Sequence, residues 1–228
     1  MKLIASIQGV AAVRVPGEEV YPASSPPMQN IISGIRALFN FAIAPPPESL
    51  GMGVPLAFQT GRITKDEQEF GIQHLIMLQD GDILASANTD FAEHGLNILI
   101  KYLDSEFGYT MESKSNTQYY YSTIIVEFDN EIGDLIPSFK KIQTIIGGEA
   151  KAEGSSFELL RLSFSKGLHR MPAPQVVSPL DGIEHADFVI ERRASQPFSA
   201  NRFFCTAPMR TGDHIRALEK IEKLLSTN

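Results

Sequence analysis

Four arginines, Arg192, Arg193, Arg202 and Arg210, fall in one stretch of the chain with no acidic residue among them. The stretch opens at Glu191 and runs through Ser199, Asn201, Phe203, Phe204 and Cys205. The whole chain carries a formal net charge of −7, so positive charge gathered here runs against the global trend and must find partners. A guanidinium presents a fork of donors that grips carboxylate or phosphate oxygens in pairs. Ser199 and Asn201 add neutral donors, and the phenylalanines add apolar surface. This composition suits a pocket for an anionic small molecule, phosphate- or nucleotide-like. Its ligand-binding candidates are Arg192, Arg193, Arg202, Arg210, Asn201 and Ser199. The competing expectation is pairing within the chain or with a partner subunit. Successive strand residues point to opposite faces, so Arg192 and Arg193 cannot both line one site. Arg202 is then expected to pair with Glu191 across a hairpin.

Elsewhere the chemistry is sparse. The chain contains no phosphate-binding Gly-x-x-x-x-Gly-Lys loop, no Gly-x-Gly-x-x-Gly, no Gly-x-Ser-x-Gly, no His-Glu-x-x-His and no Cys-x-x-Cys. Its one cysteine, Cys205, rules out an internal disulfide and reads as a small buried hydrophobe. The five histidines are scattered. His185 and Asp187, two apart on an expected strand, would share a face, but a lone pair of this kind arises by chance and no metal site is expected. Glu127 and Asp129 likewise share an expected strand face and read as solvated strand-end carboxylates. If the arginine segment served an enzyme, His214 or His185 would be the acid–base group. No catalytic residue is assigned, and no cofactor is implied.

The elements that must position these residues follow from periodicity. Residues 1–27, rich in Pro, Gly and Ser, read as an N-terminal arm in which Val10 to Val15 can pair as a strand. The first residues carry one lysine and an apolar run broken by Ser6, Gln8 and Gly9, so they read as part of the fold rather than as a signal peptide. Apolar residues at a 3.6 period predict a helix over 27–43, stopped by Pro45, Pro46 and Pro47. Its stripe, Ile31, Ile35, Leu38 and Phe39 among others, must be buried on a sheet of the same chain or on a second copy. Strands are expected at 54–63, 72–79, 82–87, 118–128, 157–165, 186–194 and 202–207, with a loop at Lys65 to Gly71 and a turn at Asp80-Gly81. Further helices are expected at 90–107, started by Asp90 and ended by Gly108, at 134–146 and at 212–225.

Hairpins outnumber β-α-β crossovers in this order. The expected fold is therefore α+β: a mainly antiparallel or mixed sheet of about six to eight strands, with about four helices largely on one face. Residues 28–228 read as a single domain, with a possible division in the Pro-rich connector 166–182. No stretch reaches the ~18 apolar residues that span a bilayer, so no membrane contact is expected, and the single cysteine fits the cytoplasm. The acidic balance argues against nucleic acid as a partner. The function expected is a non-enzymatic interaction or assembly module, a subunit of a homo-oligomer or larger complex; an anion-binding protein or enzyme is the alternative. Ile31, Ile35, Leu38, Phe39, Tyr119 and Tyr121 are the interface candidates, because tyrosine and large apolar residues concentrate in contact surfaces.

Overall fold

The computed structural model describes residues 1–14, 27–46, 55–78, 81–86, 88–112, 117–130, 137–149, 159–165, 179–193 and 196–226. Four consecutive residues, Val10 to Val13, are buried. A strand buried on both faces belongs in the middle of a sheet, and that is where strand β1 (Lys2–Arg14) lies. It is hydrogen-bonded on one side to β4 (Gly81–Ser86) and on the other to β5 (Thr117–Glu127). The segment expected as an N-terminal arm thus contributes the central strand as far as Arg14; residues 15–26 lie outside the described residues.

Around β1 the sheet has eight strands in the order β2-β3-β4-β1-β5-β8-β7-β6, with every pairing antiparallel. The expected α+β class is what the chain adopts. β2 (Leu56–Lys65) and β3 (Gln68–Leu78) form a tight hairpin through Asp66 and Glu67, both at positive φ (49° and 63°). Lys65 to Gly71, expected as a loop, is therefore almost all strand. Two turn residues in the left-handed region match the twist of the flanking strands, which lets the ladder run to the hairpin tip. The second half is built from β6 (Arg161–Phe164), β7 (Phe188–Arg192) and β8 (Arg202–Ala207). β6 and β7 are shorter than expected, and residues 151–158 lie outside the described residues. Pro208 follows β8 and has no N–H to donate, so the ladder onto β5 stops at the Ser122–Ala207 pair.

One face of the sheet carries three helices. α1 (Met28–Leu38) buries Ile31, Ile32 and Ile35. It is shorter than the expected 27–43 because Asn40 takes a positive φ of 49° and turns the chain back. That reversal places Phe39 and Phe41 in the core beside Phe58, with ring centroids 5.7 and 5.3 Å apart, and lets Ile43 bridge to Gln59. α2 (Thr89–Phe107) buries Ala92, Leu96, Leu99, Ile100 and Leu103 at helical spacing. Its cap is Asn88, whose side chain accepts from the Asp90 N–H at 2.8 Å, rather than Asp90 itself. Gly108 closes it at φ 72°, as expected.

Two further elements are α3 (Pro137–Glu149) and α4 (Pro179–Glu184). The short α4 falls at the end of the expected connector, of which 166–178 lie outside the described residues. It packs on the opposite sheet face, where Leu180 meets Val10 and Ala12, with Tyr119, Tyr121 and Ile183 around them. α5 (Thr211–Leu225) lays Leu218, Ile215 and Ile221 over Ile124, Val126, Ile190, Phe203 and Cys205 on the first face.

Gly9 makes the helical layer possible. A Cβ there would overlap the backbone of Asn88 and Thr89, so α2 begins in direct contact with β1. We expect Gly9→Ala to cost about 1–3 kcal/mol, as overpacking against unyielding backbone does, and to lower Tm by about 3–10 °C. Gly182→Ala, where nothing among the described residues lies within 4 Å of the added carbon, leaves Tm unchanged or slightly raised in the same calorimetric scan.

Candidate functional site

The arginine segment does not close around one point. Arg192 is buried on the helix-bearing face, its guanidinium 5.0 Å from the centroid of the Phe203 ring. Arg202 lies on the opposite face, because its register partner is Glu127 and not a core residue. Its Nε donates to Glu127 at 2.8 Å. The expected Arg202–Glu191 pair is thus replaced: Glu191 stands opposite Phe204 and faces Arg161 at 3.7 Å. Arg193 is exposed, and its main-chain N–H donates to the Arg202 carbonyl at 3.0 Å. Ser199 is exposed on a single 3-10 turn, Phe198–Ala200.

Asn201 acts on the backbone. It takes a positive φ of 46°, and its amide donates to the carbonyls of Phe128 and Asn130 at 2.6 and 2.7 Å. This ties the end of β5 to the start of β8. Arg210 lies past the far end of the six-residue β8, which Arg202 begins. It donates to Glu93 and to the Tyr120 hydroxyl, both at 2.8 Å, and its guanidinium sits 4.7 Å from the Tyr120 ring centroid. Tyr120 also donates to Glu93 at 2.9 Å. Burial and the Glu93 carboxylate hold the Tyr120 phenol above its ordinary pKa. Beneath this cluster, a cleft between α2 and the sheet is lined by Ala11, Val13, Leu96, Asn97 and Ile100 and has room for roughly one water molecule.

The other candidate groups separate in the same way. His185 is exposed and, with Asp187, precedes β7 rather than standing on it, so the two do not share a strand face. Asp187 accepts from Ser163 at 3.1 Å. Glu127 holds Arg202, whereas Asp129 lies past the end of β5 and meets the Met1 amino group at 2.7 Å. Among the described residues no three His, Cys, Asp or Glu side chains converge as metal ligands would.

A different polar cluster comes together in the interior. Thr89 opens α2 and Thr211 opens α5, 122 positions apart, and both are buried. The Thr211 N–H donates to the Thr89 hydroxyl at 2.8 Å, and the Thr89 N–H donates to the Thr211 hydroxyl at 3.2 Å. Each helix thereby satisfies an N–H that the other leaves without an intrahelical acceptor. One turn along α5, His214 is fully buried, with Nδ1 2.8 Å from the Ser122 hydroxyl of β5 and its ring edge-on to Phe188. Nε2 has no hydrogen-bond partner among the described residues. Burial drives the imidazole pKa down to about 4 and pushes the Cys205 thiol up to about 12, so both are neutral near pH 7. A serine beside a histidine resembles a hydrolytic pair, but both side chains are closed off from solvent, and the pair fastens helix to sheet.

By sequence His214 is an acid–base candidate, whereas nothing in the sequence singles out Ser122, Thr89 or Thr211. The residue types carry little signal; only the strand register and the two helix starts together reveal the cluster.

The interface candidates divide. Ile31, Ile35 and Phe39 are spent inside the chain's own core, which settles in favour of a cis contact for α1; Leu38 alone of that set stays exposed, at 37%. Tyr119 and Tyr121 are half-buried beside α4. The chain matches no protein-family model and no curated protein.

Two substitutions separate these polar contacts by their energetics. Ser122→Ala leaves a buried imidazole nitrogen without its partner and should cost about 1–3 kcal/mol in urea unfolding. Arg202→Ala breaks a partly exposed ion pair and should cost no more than about 1 kcal/mol. A reversed order would mean that the arginine segment, not the Ser122–His214 contact, holds this half of the sheet together.

Proposed function

We propose that this protein is a non-enzymatic interaction or assembly module, acting in the cytoplasm as a subunit of a homo-oligomer or larger protein complex. The observation that carries the reading is an exposed apolar stripe on α3. Ile142, Ile145 and Ile146 are 48, 64 and 42% exposed, and they recur at i, i+3 and i+4, so they form one stripe. Isoleucine is among the residues most often buried, and a row of three on one helix face marks a contact surface more than scattered surface hydrophobes do. Covering it with a second protein surface gains roughly 25 cal/mol for each square ångström removed from water.

This moves the expected contact surface from α1, whose stripe is used in cis, to α3. Separately from α3, the short edge strand β6 carries exposed Phe164, and exposed Leu160 precedes it. No helix among the described residues is long and apolar enough to cross a membrane.

Native mass spectra and sedimentation velocity over a concentration series test the reading. The expected result is species at multiples of the 25.1 kDa chain mass, or a stable complex with a second protein. Ile142→Glu with Ile145→Glu should abolish the association while changing stability by no more than ~0.5 kcal/mol per site, as for other exposed positions. A chain that stays at its monomer mass throughout, or a double variant that associates as before, counts against this surface.

A further inference from the structure

His214 and Glu222 are both buried, and both stand on α5. His214 fastens the N-terminal end of the helix to β5 through Ser122 at 2.8 Å. Glu222 fastens the C-terminal end: its carboxylate accepts from the Asp129 N–H at 2.7 Å and lies 2.5 Å from the Met1 amino group. Between them, the contact with the sheet is apolar, through Leu218, Ile215 and Ile221.

We propose that α5 is an acid-released latch: protonation of His214 lets this helix leave the sheet, uncovering the Ile124–Val126–Phe203–Cys205 surface, while the β1–β4 half of the sheet stays folded. Release of one element short of global unfolding is expected for a helix held to the sheet by few polar anchors. A protonated imidazole under α5 would carry an N–H at Nε2 with no acceptor and a cation buried near the positive end of the helix dipole.

Among the described residues, the groups facing His214 do not offset its charge. β5 presents the Ser122 hydroxyl and β7 the Phe188 ring. On its own helix Asp213 pairs with Arg216, and preceding Arg210 pairs with Glu93 of α2. β8 presents the neutral Cys205 thiol, and Arg192 of β7 lies over Phe203. At the other end Glu222 faces the Met1 amino group and Asp129.

The sign follows from the His214 shift. Its folded pKa of about 4 lies below the ordinary 6.5, so the released state binds the proton more tightly. The stabilisation is complete above pH 6.5 and is lost as pH falls toward 4. For one such group, the released fraction rises about twentyfold between pH 7 and pH 5. His74 on β3 is also held below its ordinary pKa by burial, but register places it on the face away from α5, so it is the competing source of acid sensitivity.

Cys205, the chain's one cysteine, lies beneath α5 and reports the event. We would measure its labelling by 4,4′-dithiodipyridine from pH 7 to 4.5, each rate divided by that of the urea-unfolded chain at the same pH. The expected result is a rise of about twentyfold by pH 5. Hydrogen exchange at pH 5 should show α5 losing protection while β2, β3 and β4 keep theirs. His214→Asn, which keeps a partner for Ser122 but does not titrate, should flatten the rise. A thiol that stays closed at pH 5, labelling that tracks loss of protection in β2–β4, or an undiminished rise in His214→Asn would each overturn the latch. Should His214→Asn fail to fold, the exchange pattern of the unaltered chain decides.

Discussion

The helical layer of this protein depends on backbone-to-backbone contact at Gly9. β1 occupies the centre of the sheet, and at Gly9 it has no side chain to hold α2 away. The start of α2 therefore rests on the strand itself, and Thr89 comes within reach of Thr211. Two helices that begin 122 residues apart then share their first hydrogen bonds. Any carbon atom added at Gly9 would push against main chain rather than a movable side-chain tip, so the strain could not be absorbed locally. The larger apolar contacts lie on either side of this point: α1 and α2 over one half of the sheet, α5 over the other.

Such a junction cannot be read from one sequence. Gly9 looks like an interruption in an apolar run, and Thr89 and Thr211 look like ordinary helix starts. What was legible is what short-range physics controls. The 3.6-residue spacing of Leu96, Leu99 and Leu103 marks α2, Gly108 marks its end, and the run 202–207 marks β8 at its true bounds. The hairpins told correctly of an antiparallel sheet. Errors arose where long-range contact overrode a local pattern. The α1 stripe extends in sequence to Ile43, but Asn40 turns the chain so that Phe41 can enter the core. The charged run at Lys65 to Gly71 resembles a loop, yet the Asp66-Glu67 turn is tight enough to keep it in the ladder.

The arginine segment shows the limit of charge clustering as a signal for a site. Four like charges in nineteen positions stand out along the chain, but a strand separates neighbours by face and by about 3.3 Å per residue. Arg192 and Arg202 end on opposite faces, and Arg210 lies a strand-length away. Each meets a group supplied by a different part of the molecule: Phe203, Glu127, and Glu93 with Tyr120. The acidic partners lie on β5 and α2, far away in sequence, so the excess positive charge is balanced only in three dimensions. Asn201 was legible as polar but not as a clamp, since its two acceptors are main-chain carbonyls at 128 and 130.

The two halves of the sheet are held by different kinds of force. Over β2, β3 and β4 the buried layer is almost wholly aliphatic and aromatic: Phe39, Phe41, Phe58, Ile72 and Leu75 against α1 and α2. Burial of that kind does not change between pH 4 and 8. Over β5, β8 and β7 the layer is thinner, and α5 adds an imidazole and a carboxylate to its few apolar contacts. Buried polar groups are stabilising only while every partner is in place, and protonation changes what each can donate or accept. The same eight-stranded sheet thus joins a half covered by an apolar layer to a half whose covering helix buries an imidazole and a carboxylate. That difference follows from which residues α5 brings to its inner face, not from the topology of the sheet, which is continuous across both.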